Sequence, residues 1–156
     1  MKKLLGVALV VTLGLSGCAT VPTVSDAETT AAKQFKAPSS SDNAGIYVYR
    51  TDSAFGAALK KDVFINDECI GETAAGIFFY HEVMAGKGVK ISTESEFSPN
   101  DLLVDTEKGK LYFVEQYIKM GAFVGGAGVE LADEETGKAE VLKLDMATKG
   151  RCSATK

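Results

Sequence analysis

The chain has one histidine, His81, and it stands beside Glu82. These residue types can act as a general base with an orienting carboxylate, or contribute a ligand to a metal site. They fall in the run Gly76-Ile77-Phe78-Phe79-Tyr80-His81-Glu82-Val83, which reads as a strand, and adjacent residues on a strand point to opposite faces. Spacing therefore separates the pair, and a lone histidine cannot build a multi-histidine metal site. Ser53 and Ser92 are hydroxyls that a base could activate, but neither sits in a nucleophile-elbow context, so no triad assembles from spacing. The residues assign no catalytic group, no cofactor and no metal ligand.

A second candidate is Gly121-Ala122-Phe123-Val124-Gly125-Gly126-Ala127-Gly128. It lacks the Gly-Lys-Ser/Thr ending and the G-x-G-x-x-G spacing of phosphate-binding loops. Lys119 is the one nearby cation, while Glu130, Asp133, Glu134 and Glu135 repel anions. The segment reads instead as a glycine-rich break whose Met120, Phe123 and Val124 form a candidate contact loop for a partner or a membrane.

Composition narrows the classes further. The 156 residues are 46% hydrophobic and 24% charged, which describes one globular domain. With 17 basic against 21 acidic residues, no surplus of positive charge exists to neutralise nucleic-acid phosphates.

Met1-Lys2-Lys3 followed by the apolar stretch Leu4 to Leu15 reads as an export signal, too short to remain as a membrane span. Next comes Leu15-Ser16-Gly17-Cys18, which resembles the lipobox of bacterial lipoproteins. The resemblance implies removal of residues 1–17, acylation of Cys18 and stable tethering, since each buried methylene contributes about 0.8 kcal/mol. Ala19, rather than Asp, after that cysteine matches the sorting pattern that implies the outer membrane, with the domain facing the periplasm. Loss of Lys2 and Lys3 leaves 15 basic against 21 acidic residues, a net charge of −6, so the lipid and not headgroup attraction must hold the protein. Cys69 and Cys152 remain; an oxidising compartment allows them to pair, nothing fixes their separation, and the pairing stays open. No Cys-x-x-Cys motif points to redox chemistry.

Residues 18–43 are rich in Ala, Thr, Ser and Pro and read as a lipid-anchored tether, although Ala31-Ala32-Lys33-Gln34-Phe35 can form a helical turn or lay Phe35 on the domain. The β-rich domain spans 44–146. Ile46-Tyr47-Val48-Tyr49-Arg50 is a predicted strand, and Asp62 to Glu72 a hairpin about the polar turn Asn66-Asp67. Val89 to Glu94 alternates as a half-buried strand. Asp101 to Asp105 and Leu111 to Tyr117 read as another hairpin about Glu107 to Lys110, and Val129 to Leu131 as one more strand. Asp133-Glu134-Glu135 opens a predicted C-terminal helix with Ala139, Leu142 and Met146 at helical spacing, weakened at Gly137 by about 1 kcal/mol. Residues 147–156 read as a disordered tail. The predicted fold is mainly β, an antiparallel β-sandwich or open barrel of about seven to eight strands with a short C-terminal helix.

The lipobox, the Ile46–Arg50 strand, the Val63–Gly71 hairpin and Val83-Met84-Ala85-Gly86-Lys87 before an alternating strand resemble a family of small prokaryotic lipoproteins with a shared domain of unknown function. The resemblance runs from about Ala31 to Leu144 and carries no assigned catalytic residue. The leading expectation is a non-enzymatic outer-membrane lipoprotein, tethered through Cys18, that contacts another envelope protein or supports envelope integrity. The alternatives are an envelope enzyme with a site assembled around His81, and a small-ligand carrier with a cavity between the sheets lined by Tyr47, Tyr49, Phe78, Phe79 and Tyr112.

Overall fold

The computed structural model describes residues 18–95, 100–121 and 125–153. After helix α1 (Asp26–Ala32) come strands β1 (Asn43–Arg50), β2 (Lys61–Ile65), β3 (Glu68–Thr73), β4 (Ile77–Met84), β5 (Val89–Thr93), β6 (Asn100–Val104), β7 (Leu111–Lys119) and β8 (Gly126–Ala132). Helix α2 (Glu134–Val141) and the two-residue strand β9 (Asp145–Met146) follow. One sheet has the order β8-β7-β1-β4-β9 and the other β3-β2-β5-β6.

The mainly β reading holds, with nine strands in two sheets among the described residues. Every residue of β1 from Ala44 to Arg50 is buried, so this strand must be covered on both faces. Alternation sends Ile46 and Val48 into a core shared with Val63, Ile65 and Ile91 of the second sheet, and sends Tyr47 and Tyr49 outward to Phe113, Val141 and Leu144. At the β2–β3 turn Asn66 and Asp67 adopt φ of 50° and 66°, the left-handed geometry that a two-residue hairpin requires and that these side chains tolerate.

The structure corrects several local expectations. Pairing is not wholly antiparallel, because β1 runs parallel to β7, and β4 to β9. Strands β6 and β7 do not form a hairpin: β6 pairs with β5 in one sheet, and β7 lies between β1 and β8 in the other. The polar turn between them is a crossing from sheet to sheet, tied to β1 where the Gly109 amide donates to Asn43 O and the Gly45 amide to Lys110 O. The glycine-rich break also shrinks, since Gly126 to Gly128 belong to β8; a Cβ on Gly128 would lie 2.5 Å from Tyr117 Cζ, so glycine lets that ring cross the neighbouring strand.

Helix α2 begins at its cap Asp133, whose carboxylate accepts from Thr136 N at 2.9 Å, and its apolar face differs from the spacing prediction. Ala139 and Leu142 are exposed while Gly137 and Val141 are buried. A Cβ on Gly137 would overlap Cβ and Cγ of Phe113, and because that Cβ is fixed by the backbone no rotamer change relieves the clash. Gly137→Ala is therefore expected to lower stability by about 1–3 kcal/mol, the scale of overpacking, despite alanine's better helix propensity. Urea unfolding checks this; a gain in stability would refute the packing role.

A buried polar contact joins the sheets. Gln116 of β7 donates to Thr93 Oγ1 at 2.7 Å and accepts from the Thr73 hydroxyl, reaching β5 and β3. Buried polar groups need such partners, and these fix how one sheet sits over the other.

Neither end of the described residues matches its expectation. Within 18–43, α1 has a capping box, with Glu28 N donating to Ser25 Oγ and Glu28 Oε2 accepting from Ser25 N, so part of the expected tether is folded onto the domain. At the other end, Cys69 and Cys152 form a disulfide with Cα atoms 6.0 Å apart. Gly150 N donates to Ile70 O, and Ser153 N and Oγ donate to the Asp62 carboxylate. The described tail, 147–153, is held rather than disordered. Among the described residues no helix is long and apolar enough to cross a membrane.

Candidate functional site

The segment after α1 is held by aromatic and carboxylate contacts on the outer face of the first sheet. Tyr47 stacks on Phe113 with ring centroids 5.0 Å apart, and Phe35 meets both rings edge-on at 5.5 and 5.8 Å. The Tyr47 hydroxyl donates to Ala32 O at 2.7 Å, and burial pushes its pKa up to about 12. Farther along, Glu82 accepts from Ser39 N at 2.8 Å, Ser39 Oγ at 2.6 Å, Tyr80 Oη at 3.1 Å and Asn43 Nδ2 at 3.2 Å.

Between these two attachments lies a groove of about 520 Å³, within the roughly 300–1,000 Å³ common for ligand pockets. Tyr47, Tyr80, Ala32 and Met146 form its apolar wall; Glu28, Lys36, Glu82 and Lys149 place charges of both signs along it. The described residues contain no cluster of three or more His, Cys, Asp or Glu able to hold a metal. The arrangement offers apolar contact beside charges of both signs.

Desolvation works to raise the pKa of Glu82, but the four donors outweigh it and hold the carboxylate down to about 2. Because the folded pKa lies below the unfolded one, the contribution is present above about pH 4.5 and is lost as pH falls towards 2. Acid titration of stability is therefore expected to show a loss across this window that Glu82→Gln removes. Parallel acid profiles for the two proteins would show that Glu82 is not the fastening group.

His81 and Glu82 do diverge across β4 as their spacing predicts. His81 is half-buried with Nδ1 3.2 Å from Lys149 Nζ, and its pKa is lowered by desolvation and by the Lys149 charge. Ser92 is buried within β5, and Ser53 Oγ accepts from Phe55 N in the β1–β2 loop; neither is brought to His81. The expected aromatic cavity between the sheets is replaced by a groove on the outer side of one sheet: Phe79 fills the shared core, whereas Tyr47, Tyr49 and Phe78 lie on the opposite face. In the candidate contact loop Met120 is 84% exposed, while Phe123 and Val124 lie outside the described residues. Sequence reasoning missed α1 and with it the groove; the signal was Ser25-Asp26-Ala27-Glu28, a capping-box spacing.

A family model described as a protein of unknown function, DUF2846, matches residues 40–127. The chain belongs to the DUF2846 family. A relative from Haemophilus influenzae described as an uncharacterized protein is 54% identical over 145 residues, covering 93% of this chain and 82% of its own length. No solved structure matches. The DUF2846 match begins ahead of β1 and ends within β8, so it includes Glu82 and Tyr47 but neither α1 nor Lys149.

Proposed function

We propose that this DUF2846 protein is an outer-membrane lipoprotein, anchored through Cys18 with its domain in the periplasm, which binds another envelope protein and is not an enzyme. The observation that carries the anchor is the order of Lys2-Lys3, an apolar stretch and Leu15-Ser16-Gly17-Cys18-Ala19. Cys18 is exposed and a free thiol in the unmodified chain, as an acyl-bearing residue needs. Replacement by Cys18→Ala is expected to move the protein from the membrane fraction to the soluble fraction. Retention in the membrane would refute the anchor.

The binding reading is supported by the groove beneath α1, where an apolar wall lies beside Glu82, itself held by the Ser39 and Tyr80 hydroxyls. An extended segment of a partner chain fits an apolar wall edged by both charge signs. The second reading, a small-ligand carrier, draws on the same groove and its volume. Ala31→Trp, which fills the groove, separates binding from anchoring: crosslinking of the partner through Lys36 is expected to vanish while membrane retention persists.

A further inference from the structure

Strands β1 and β7 are parallel, so both end at the same end of the first sheet. There the β1–β2 loop lies directly on β7: a Cβ on Gly56 would fall 2.6 Å from Ile118 Cγ1, and one on Gly125 would fall 2.6 Å from Leu59 Cδ1. Arg50, 3% exposed, fixes the loop from beneath by donating to Gly56 O at 2.5 Å and Leu59 O at 2.7 Å. The result is a braced loop that presents a large apolar side chain, Phe55, 54% exposed, at the same end as Met120. From Ser53 to Leu59 the loop has no charged residue. Beside it, Ala19 N donates to Ala57 O at 2.8 Å, and since consecutive Cα atoms are about 3.8 Å apart, Cys18 stands one residue from this loop.

From this juxtaposition we propose that the end of the domain carrying Phe55 and Met120 is a membrane-contact face, laid on the lipid surface with both side chains entering the bilayer interface. The proposal rests on the Cys18 anchor. Acyl chains leaving from Cys18 bring this end to the bilayer first, and exposed apolar side chains there exchange water for the headgroup and acyl boundary. A mature charge of −6 gives no electrostatic attraction to anionic lipid, so the contact is apolar in origin. The groove beneath α1 remains free for a partner.

The chain contains no tryptophan, so Phe55→Trp, Met120→Trp and Met84→Trp each introduce a single reporter at an exposed site. Met84 is 79% exposed and pairs with Asn43, at the opposite end of β1. The full processed protein is reconstituted into phosphatidylcholine vesicles with or without brominated acyl chains. Severalfold stronger bromine quenching at positions 55 and 120 than at position 84 is expected. Equal quenching at all three sites in vesicle-bound, acylated protein would overturn the contact face alone. A processed chain without lipid on Cys18, which does not float with vesicles, would overturn the anchor and with it this orientation.

Discussion

Cys69→Ser combined with Cys152→Ser is expected to lower the unfolding free energy by about 4 kcal/mol, since the bond joins residues 83 apart and constrains a long loop of the unfolded chain. Much of the native tail should survive the change. Gly150 N still donates to Ile70 O and Ser153 still meets Asp62, so the loss reflects greater freedom of the unfolded chain more than a rearranged fold. Urea unfolding of the double variant beside the oxidised protein reads the effect. A shared midpoint would show that the disulfide contributes nothing to stability.

A comparable loss is expected from Tyr47→Ala. Tyr47 is 1% exposed and its ring contacts Phe35, Phe78, Tyr80 and Phe113, so truncation empties a large aromatic site at a cost of about 3–5 kcal/mol. It also removes the hydroxyl bonded to Ala32 O and the ring on which Phe35 rests, which frees the segment after α1 and opens the groove. Tyr47→Phe keeps the ring and deletes only the hydrogen bond, so its loss should be near 1 kcal/mol. The gap between the variants measures ring packing against the hydroxyl. Equal losses would mean that the hydroxyl alone fastens α1.

The strands were readable where one residue type settles local geometry. Asn66-Asp67 tolerates positive φ and so marks the β2–β3 turn, and the β-branched and aromatic run Ile46 to Tyr49 fits only a strand with both faces covered. Sheet membership was not readable. Glu107 to Lys110 has the composition of a hairpin turn whether the chain returns to β6 or crosses to lie beside β1, because a turn reports reversal and not destination. Gly137 misled for a related reason: helix propensity is local, whereas its contact with Phe113 joins α2 to β7. The groove was hidden because its lid, α1, is only seven residues of modest apolarity, stabilised by docking on Tyr47 rather than by its own composition. Glu82 was visible but weighed with its sequence neighbour His81, while its partners Ser39 and Asn43 lie 43 and 39 residues away.

Both the membrane anchor and the membrane-contact face require that Cys18 becomes an acylated N-terminus. The intact mass of the protein extracted from cell membranes, with its N-terminal peptide fragmented, tests this most directly. The expected product is a chain that begins at Cys18 and carries acyl mass on that residue, with residues 1–17 gone. A chain that retains Met1, or one that begins elsewhere with Cys18 unmodified, would contradict it.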